Sequence, residues 1–94
     1  MNITYDPAKN AINRRKHGID LADVEGVFSD ERAITIEDCD HDEERFVTLG
    51  MDGFSRLLVV VYHYRDPDDI RLISARPAQS RERRIYEEDT GHAR

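Results

Sequence analysis

Apolar residues recur with two periods along this chain, and the change falls near residue 30. Before it the spacing is helical. Asp6-Pro7 predicts a helix start, a side-chain acceptor followed by proline where the missing N–H costs nothing. Ala8, Ala11 and Ile12 give a helix over 7–16 a thin apolar stripe. Gly18 is placed to end it, because glycine enters the left-handed conformation without a Cβ penalty. Asp20 caps a second helix, on which Leu21, Val24, Val27 and Phe28 share a face until it stops near Ser29-Asp30. Ahead of both, Asn2–Tyr5 reads as a short strand with Ile3 and Tyr5 on one side.

From residue 33 the period is two. Ala33–Glu37 alternates, with Ile34 and Ile36 on one face, and Asp38–Glu43 is an acidic turn. Arg45–Gly50 is the next strand, and Met51-Asp52-Gly53-Phe54 carries an Asp-Gly hairpin signal. Arg56–Tyr64 is apolar on both faces, as a central strand is. After the turn Asp66-Pro67-Asp68-Asp69, Ile70–Ala75 is the last strand, and Pro77 stops it or opens a final helix. That helix, over 77–89, turns Ala78, Ile85 and Tyr86 inward, and residues 90–94 form a frayed tail. Helices segregated from strands make an α+β fold: two N-terminal helices, a curved antiparallel sheet of about four strands with a possible short N-terminal strand, and a C-terminal helix.

At 94 residues, 38% of them hydrophobic, the chain has material for one core, so residues 1–94 read as a single domain. The longest apolar run is Leu57–Val61, far short of the ~20 residues of a membrane helix. The opening residues lack a basic segment followed by an apolar one, so no secretory signal is expected. One cysteine, Cys39, makes neither an internal disulfide nor a multi-thiolate zinc site, and the expected compartment is a reducing cytoplasm.

Charge changes this picture more than composition does. The formal net charge is −6, which argues against a polyanionic partner. Its distribution argues the other way. Residues 9–17 carry Lys9, Arg14, Arg15 and Lys16 without an acid, and residues 71–84 carry five arginines against Glu82. The acids gather in 20–44, where eleven face the single base Arg32. Two basic segments folded together would make a local phosphate-binding patch, since screening confines each charge to about 8–10 Å. Ordinary solvated faces are the plainer reading.

Asp38-x-Asp40-x-Asp42 opens like a calcium loop, but Glu43 stands where glycine is required and Leu49 where glutamate is, so it reads as a solvated turn. Cys39 and His41 are two candidate ligands and do not define a zinc site. Arg71-Leu72-Ile73-Ser74-Ala75-Arg76 is more suggestive. Alternation sets Arg71, Ile73 and Ala75 on one face and Leu72, Ser74 and Arg76 on the other. Arginine and serine beside a helix start suit a phosphate; equally, Arg76 can pair with Glu82 to pin the helix. His17 ends the first helix, as a proton-transfer group or a cap. His63 follows Leu57, Val59 and Val61 on the central strand, buried if that face is core and a candidate acid if it opens a concavity. Glu44 is a candidate base or an ion-pair partner of an arginine.

Taken in order, these pieces resemble the BrnT toxins, the toxin half of the BrnT/BrnA type II toxin–antitoxin systems. The resemblance spans about residues 3–88. It is carried by Tyr5-Asp6-Pro7 with Lys9 and Asn13, where the family more often has Trp before the Asp. It continues through Lys16-His17-Gly18-Ile19, Ala22, Val27-Phe28, Glu44-Arg45 and Gly50. It ends with Ile70 to Ala78, Glu82-Arg83 and Tyr86. The resemblance implies a RelE-like fold and a ribonuclease that arrests growth by acting on cellular RNA. It also implies a BrnA-like ribbon–helix–helix antitoxin that neutralises the toxin, a two-plus-two heterotetramer, and operator DNA bound only through the antitoxin.

A ribonuclease working without a metal needs a base for the ribose 2′-proton, an acid for the leaving 5′-oxygen, and cations for the charge developing on phosphorus. On this reading Arg71, Arg76 and Arg83 bind phosphate and the transition state, with Arg45 and Lys16 as further phosphate contacts. His17 or His63 transfers the proton, Glu44 acts as base or orienter, and Tyr86 stacks a base or donates a proton. No cofactor or metal is expected. The alternative is a non-catalytic module that binds its antitoxin and contributes to operon repression.

Overall fold

The computed structural model describes residues 1–38 and 44–91, with the side chains of 89–91 left aside. The acidic turn, its calcium-like spacing, the Cys39/His41 pair and residues 92–94 lie outside the described residues. The elements are β1 (Asn2–Thr4), α1 (Pro7–His17), two 3₁₀ turns (Leu21–Asp23 and Glu25–Ser29), β2 (Ile34–Asp38), β3 (Arg45–Met51), β4 (Leu57–Asp66), β5 (Asp69–Pro77) and α2 (Ser80–Gly91).

The strands form one sheet in the order β1-β5-β4-β3-β2. β2 to β5 make the expected antiparallel meander. The short N-terminal strand joins it in parallel, Asn2 to Thr4 lying beside Asp69 to Arg71, so the sheet is mixed and five-stranded.

α1 begins and ends as its sequence directs. The Asp6 carboxylate accepts from Ala8 N at 2.9 Å, Pro7 opens the helix, and Gly18 closes it at φ 72°. Its inner face is a surprise, because Ala8, Ala11 and Ile12 are exposed and the buried residues are Asn10 and Asn13. The cause is the sheet edge. β1 pairs with β5 only as far as Arg71, and the rest of that edge needs partners. Asn13 supplies them: its amide donates to Ala75 O at 2.9 Å and its oxygen accepts from Ala75 N at 3.1 Å. The same amide donates to Ile19 O, while Asn10 bridges Leu21 N and the Asp20 carboxylate.

The predicted second α-helix is two 3₁₀ turns instead. Leu21, Val24 and Val27 are spaced by three, which is the 3₁₀ period, and all three are buried, whereas Phe28 is only half so. The second turn also runs close against the β3–β4 connection. A Cβ on Gly26 would lie 2.5 Å from Gly53 N, nearer than any side chain permits. That connection departs from the Asp-Gly hairpin as well: the left-handed residue is Ser55, at φ 64°, rather than Gly53. Asp52 organises it, its buried carboxylate accepting from Phe54 N, Arg56 N and Arg56 Nε at 2.7–2.9 Å.

Each face of the sheet carries a core. Leu58, Val60, Tyr62, Ile70, Leu72 and Ala75 meet the 3₁₀ segment on one. Leu49, Leu57 and Val59 meet Tyr86 of α2 on the other. α2 starts at Ser80 rather than at Pro77, which ends β5. Of its expected inward residues, Tyr86 is buried, Ala78 half-buried and Ile85 49% exposed.

A cationic trough beside the beta-bulge of strand five

One irregularity decides which side chains meet. Val61 pairs with Ser74 and Tyr62 with Leu72, leaving Ile73 as an extra residue, a β-bulge. The bulge resets the alternation of β5. Leu72 and Ala75 enter the core, while Arg71, Ser74 and Arg76 stand opposite His63, Val61 and Val59 of β4. The strict alternation expected from the sequence, with Arg71 and Arg76 on opposite faces, is therefore corrected.

Two adjoining clefts flank Ile73. One, of about 90 Å³, is lined by Asp6, Lys9, Arg45, His63, Arg71, Leu72 and Ile73. The other, of about 210 Å³, is lined by Lys9, Ile12, Asn13, Lys16, His17, Ile73 and Ser74. Lys9 and Ile73 line both, so the clefts adjoin along a shared wall as a two-part trough, with His17 in one part and His63 in the other. Four elements build it: the outer face of α1, the bulge of β5, and the ends of β3 and β4. Among the described residues that line it the one acid, Asp6, is engaged as the α1 cap. Among the described residues Arg45 Nε is buried without a hydrogen-bond partner, although Asp38 is its cross-strand neighbour, and a buried cationic donor left so favours an anion beside it.

The trough thus gathers five of the residues singled out in the sequence: Lys16, His17, Arg45, His63 and Arg71. It adds Lys9, whose place among the basic residues of 9–17 was visible but whose position between two histidines was not. Ser74 joins it as well, brought there by the bulge.

The other singled-out residues lie elsewhere. Arg76 is gripped by Glu82, its two terminal nitrogens donating to the two carboxylate oxygens at 2.8 and 2.7 Å. The hydrogen bonds from Arg76 hold Glu82 below the usual carboxylate range, and Glu82 raises Arg76 further above its own. Glu82 also accepts from Gln79 N at 2.8 Å, so one side chain caps α2 and ties it to β5. Tyr86 donates to Asp30 at 2.7 Å, fastening α2 to the residue that closes the second 3₁₀ turn. Burial and the Asp30 carboxylate push its phenol up to about 12. Burial would raise Asp30 too, but hydrogen bonds from Met51 N, Tyr86 and Arg32 N outweigh it and hold its carboxyl low. Arg83 is exposed on α2, and Glu44 is exposed just before β3. Among the described residues no group of three or more His, Cys, Asp or Glu is placed to hold a metal ion. No described helix is long and apolar enough to cross a membrane.

Compared with known proteins, residues 5–82 match the family model described as the ribonuclease toxin BrnT of type II toxin–antitoxin systems. The fold is similar to the crystal structure of the Brucella abortus ribonuclease toxin BrnT, with a TM-score of 0.66 and 24% sequence identity. That likeness covers 85% of this chain and 99% of the Brucella one. No curated protein matches the chain.

Proposed function

The chain belongs to the BrnT ribonuclease toxin family of type II toxin–antitoxin systems, and from that premise we propose that the trough between α1 and β5 is its RNA-cleaving centre. The observation that carries the proposal is a pair of adjoining clefts that share Lys9, one holding His17 with Lys16 and the other His63 with Arg45 and Arg71. One histidine takes the proton of a ribose 2′-hydroxyl, and the 2′-oxygen attacks the adjoining phosphorus. The bond from phosphorus to the 5′-oxygen breaks, and the other histidine protonates that oxygen. The products are a 2′,3′-cyclic phosphate and a 5′-hydroxyl end, so no atom or electron is left over. Arg45 and Arg71 bind the non-bridging oxygens as charge grows on them, a role in which preorganised donors contribute most. Lys9 and Lys16 hold the flanking phosphates. Glu44, exposed next to Arg45, orients that guanidinium when substrate arrives. Arg76, Arg83 and Tyr86 act from α2 and its anchorage rather than on the scissile phosphate. The residues of the trough supply base, acid and cations, so the reaction requires no metal.

The setting follows from the family. The chain works as one RelE-like toxin domain in the cytoplasm. It is neutralised by a BrnA-like ribbon–helix–helix antitoxin in a two-plus-two heterotetramer that contacts operator DNA through the antitoxin.

Induced expression with and without the antitoxin, followed by end-mapping of total RNA, tests the reading. New 5′-hydroxyl ends with arrest relieved by the antitoxin are expected. Cleavage should persist in EDTA and fall steeply in both His17→Ala and His63→Ala, with melting temperature unchanged. Folded protein that binds antitoxin but yields no new ends would leave the non-catalytic binding module instead.

A further inference from the structure

The face of the sheet that carries the trough is only partly covered. Three rows of side chains cross it. Ile34, Leu49 and Val59 form the first, with Arg76 beyond. Ile36, Val47 and Val61 form the second, ending at Ser74. The third holds Asp38 and Arg45, then His63 opposite Arg71. α2 roofs part of the first row and leaves the second open. Between them is a groove of about 250 Å³, lined by Ile34, Ile36, Val47, Leu49, Val59 and Ile85. Ile36 is 61% exposed and Ile85 49% exposed, on its two rims. Leu49 and Val59 form its buried floor, Ile34 and Val47 are half-buried, and a groove of this kind with exposed aliphatic rims marks an interaction surface.

We infer that this groove is the docking site of the antitoxin, through an amphipathic segment whose aliphatic side chains fill it and whose carboxylates meet Arg45 and Arg71. The inference rests on the toxin reading. Chemistry chooses this occupant. The one charged lining residue, Glu82, is already held by Arg76, so the groove itself offers only apolar contact. It contains no aromatic platform and no free cation, the two features by which single-stranded RNA is gripped. At one end it runs into the cationic row. From Leu49 to Arg45 along β3 is about 13 Å at the rise of a strand, roughly four extended residues or two to three helical turns. A segment seated on the aliphatic shelf therefore brings its acidic end onto the arginines of the trough. Neutralisation then follows from occupancy: the same carboxylates stand where the RNA phosphate would bind. The net charge of −6 adds selectivity, since an acidic partner is repelled from most of this surface and admitted at the cationic row.

The test uses the cognate antitoxin and the full-length toxin. Ile36→Glu and Ile85→Glu each place a carboxylate on the rim of the groove, at exposed positions outside the trough. Each should weaken antitoxin binding roughly 100-fold, because a charge in an apolar contact goes unsolvated. Cleavage of RNA by either free variant should match the parent, and arrest should no longer be relieved by antitoxin. Unchanged affinity in both variants overturns the inference. So does loss of RNA cleavage with melting temperature intact, which assigns the groove to substrate, or conversion of a dimeric free toxin to monomer, which assigns it to a second copy. Affinity is read independently of activity. If the parent binds antitoxin but cuts no RNA, the docking site stands or falls by the variants while the ribonuclease reading fails alone.

Discussion

Arg71 and Arg76 sit on one strand and one face, five residues apart, and live in different regions of the molecule. At the end covered by α2, Arg76 is met by both oxygens of Glu82, which also caps the helix. At the open end, Arg71 lines a cleft with Lys9, Arg45 and His63 and makes no ion pair with any described residue. The first arginine completes its charge balance within the chain. The second shares its cleft with Lys9, Arg45 and His63, where the one acid among the described lining residues, Asp6, is engaged as the α1 cap. The difference lies in the neighbours: a carboxylate meets Arg76, and the described ion pairs include none with Arg71.

The sharpest break of that comparison exchanges the two fates. Arg71→Ala should lower single-turnover RNA cleavage by roughly 10²–10³-fold with little change in melting temperature. Arg76→Ala should do the reverse, costing about 1–2 kcal/mol of stability for a partly exposed bidentate pair and its cap, with activity following the folded fraction. Cleavage assays and thermal melts on both variants decide it. A catalytic loss in Arg76→Ala beyond its folded fraction would join the two regions into one site.

Asn13 sharpens the comparison next, because it belongs to both regions. It stands in for a missing strand at Ala75 and lines the His17 cleft. Asn13→Ala strands the buried N–H and C=O of Ala75, at a cost of about 3 kcal/mol. The wall of α1 that positions Lys9, Lys16 and His17 should then loosen. Urea unfolding is expected to show the loss, and residual cleavage at low temperature should fall further than stability alone requires. Retained stability would mean that water replaces the amide along the β5 edge.

Asn13 also marks where the sequence stopped being readable. The helix over it was legible from Asp6-Pro7 and Gly18, signals that act through their own backbone. Its buried face was not, since Ala8, Ala11 and Ile12 look like a stripe and the neighbour that selects Asn is a sheet edge more than sixty residues away. The strands were legible from their period, and the parallel pairing of β1 was not, because strand direction depends on tertiary placement. Leu21, Val24 and Val27 announced a buried face but not whether the turns between them were α or 3₁₀, as a spacing of three fits both. In the candidate site, residue type nominated Arg71, His63 and His17. The bulge at Ile73 determined which of them meet, and nothing in Arg71–Arg76 distinguishes a bulged strand from a regular one. Lys9 was one of four cations in a run, and only the fold puts it between the histidines.

The smallest effect expected is at Tyr86, and its direction is informative. The phenol is held neutral by burial and by donation to Asp30, so its pKa lies near 12 instead of 10. A group more readily protonated in the folded state than in the unfolded chain stabilises the fold fully below the unfolded value. That contribution drains away as pH rises from about 10 to about 12. Tyr86→Phe removes the donor but leaves Asp30 its contact with Met51 N, so stability at neutral pH should fall by only about 1 kcal/mol. The alkaline loss should be smaller in the variant than in the parent, because the group that titrates there is gone. On the acid side the variant should lose somewhat less than the parent, because the Tyr86 hydrogen bond is one of those that hold the Asp30 carboxyl low, whereas the losses at Asp52 and Glu82, which release Arg56 and Arg76, are common to both. RNA cleavage is expected to be unchanged. A catalytic loss in Tyr86→Phe at full folding would move this tyrosine from the anchorage of α2 into the reaction, and the separation between the covered and open ends of the sheet would fail at that residue.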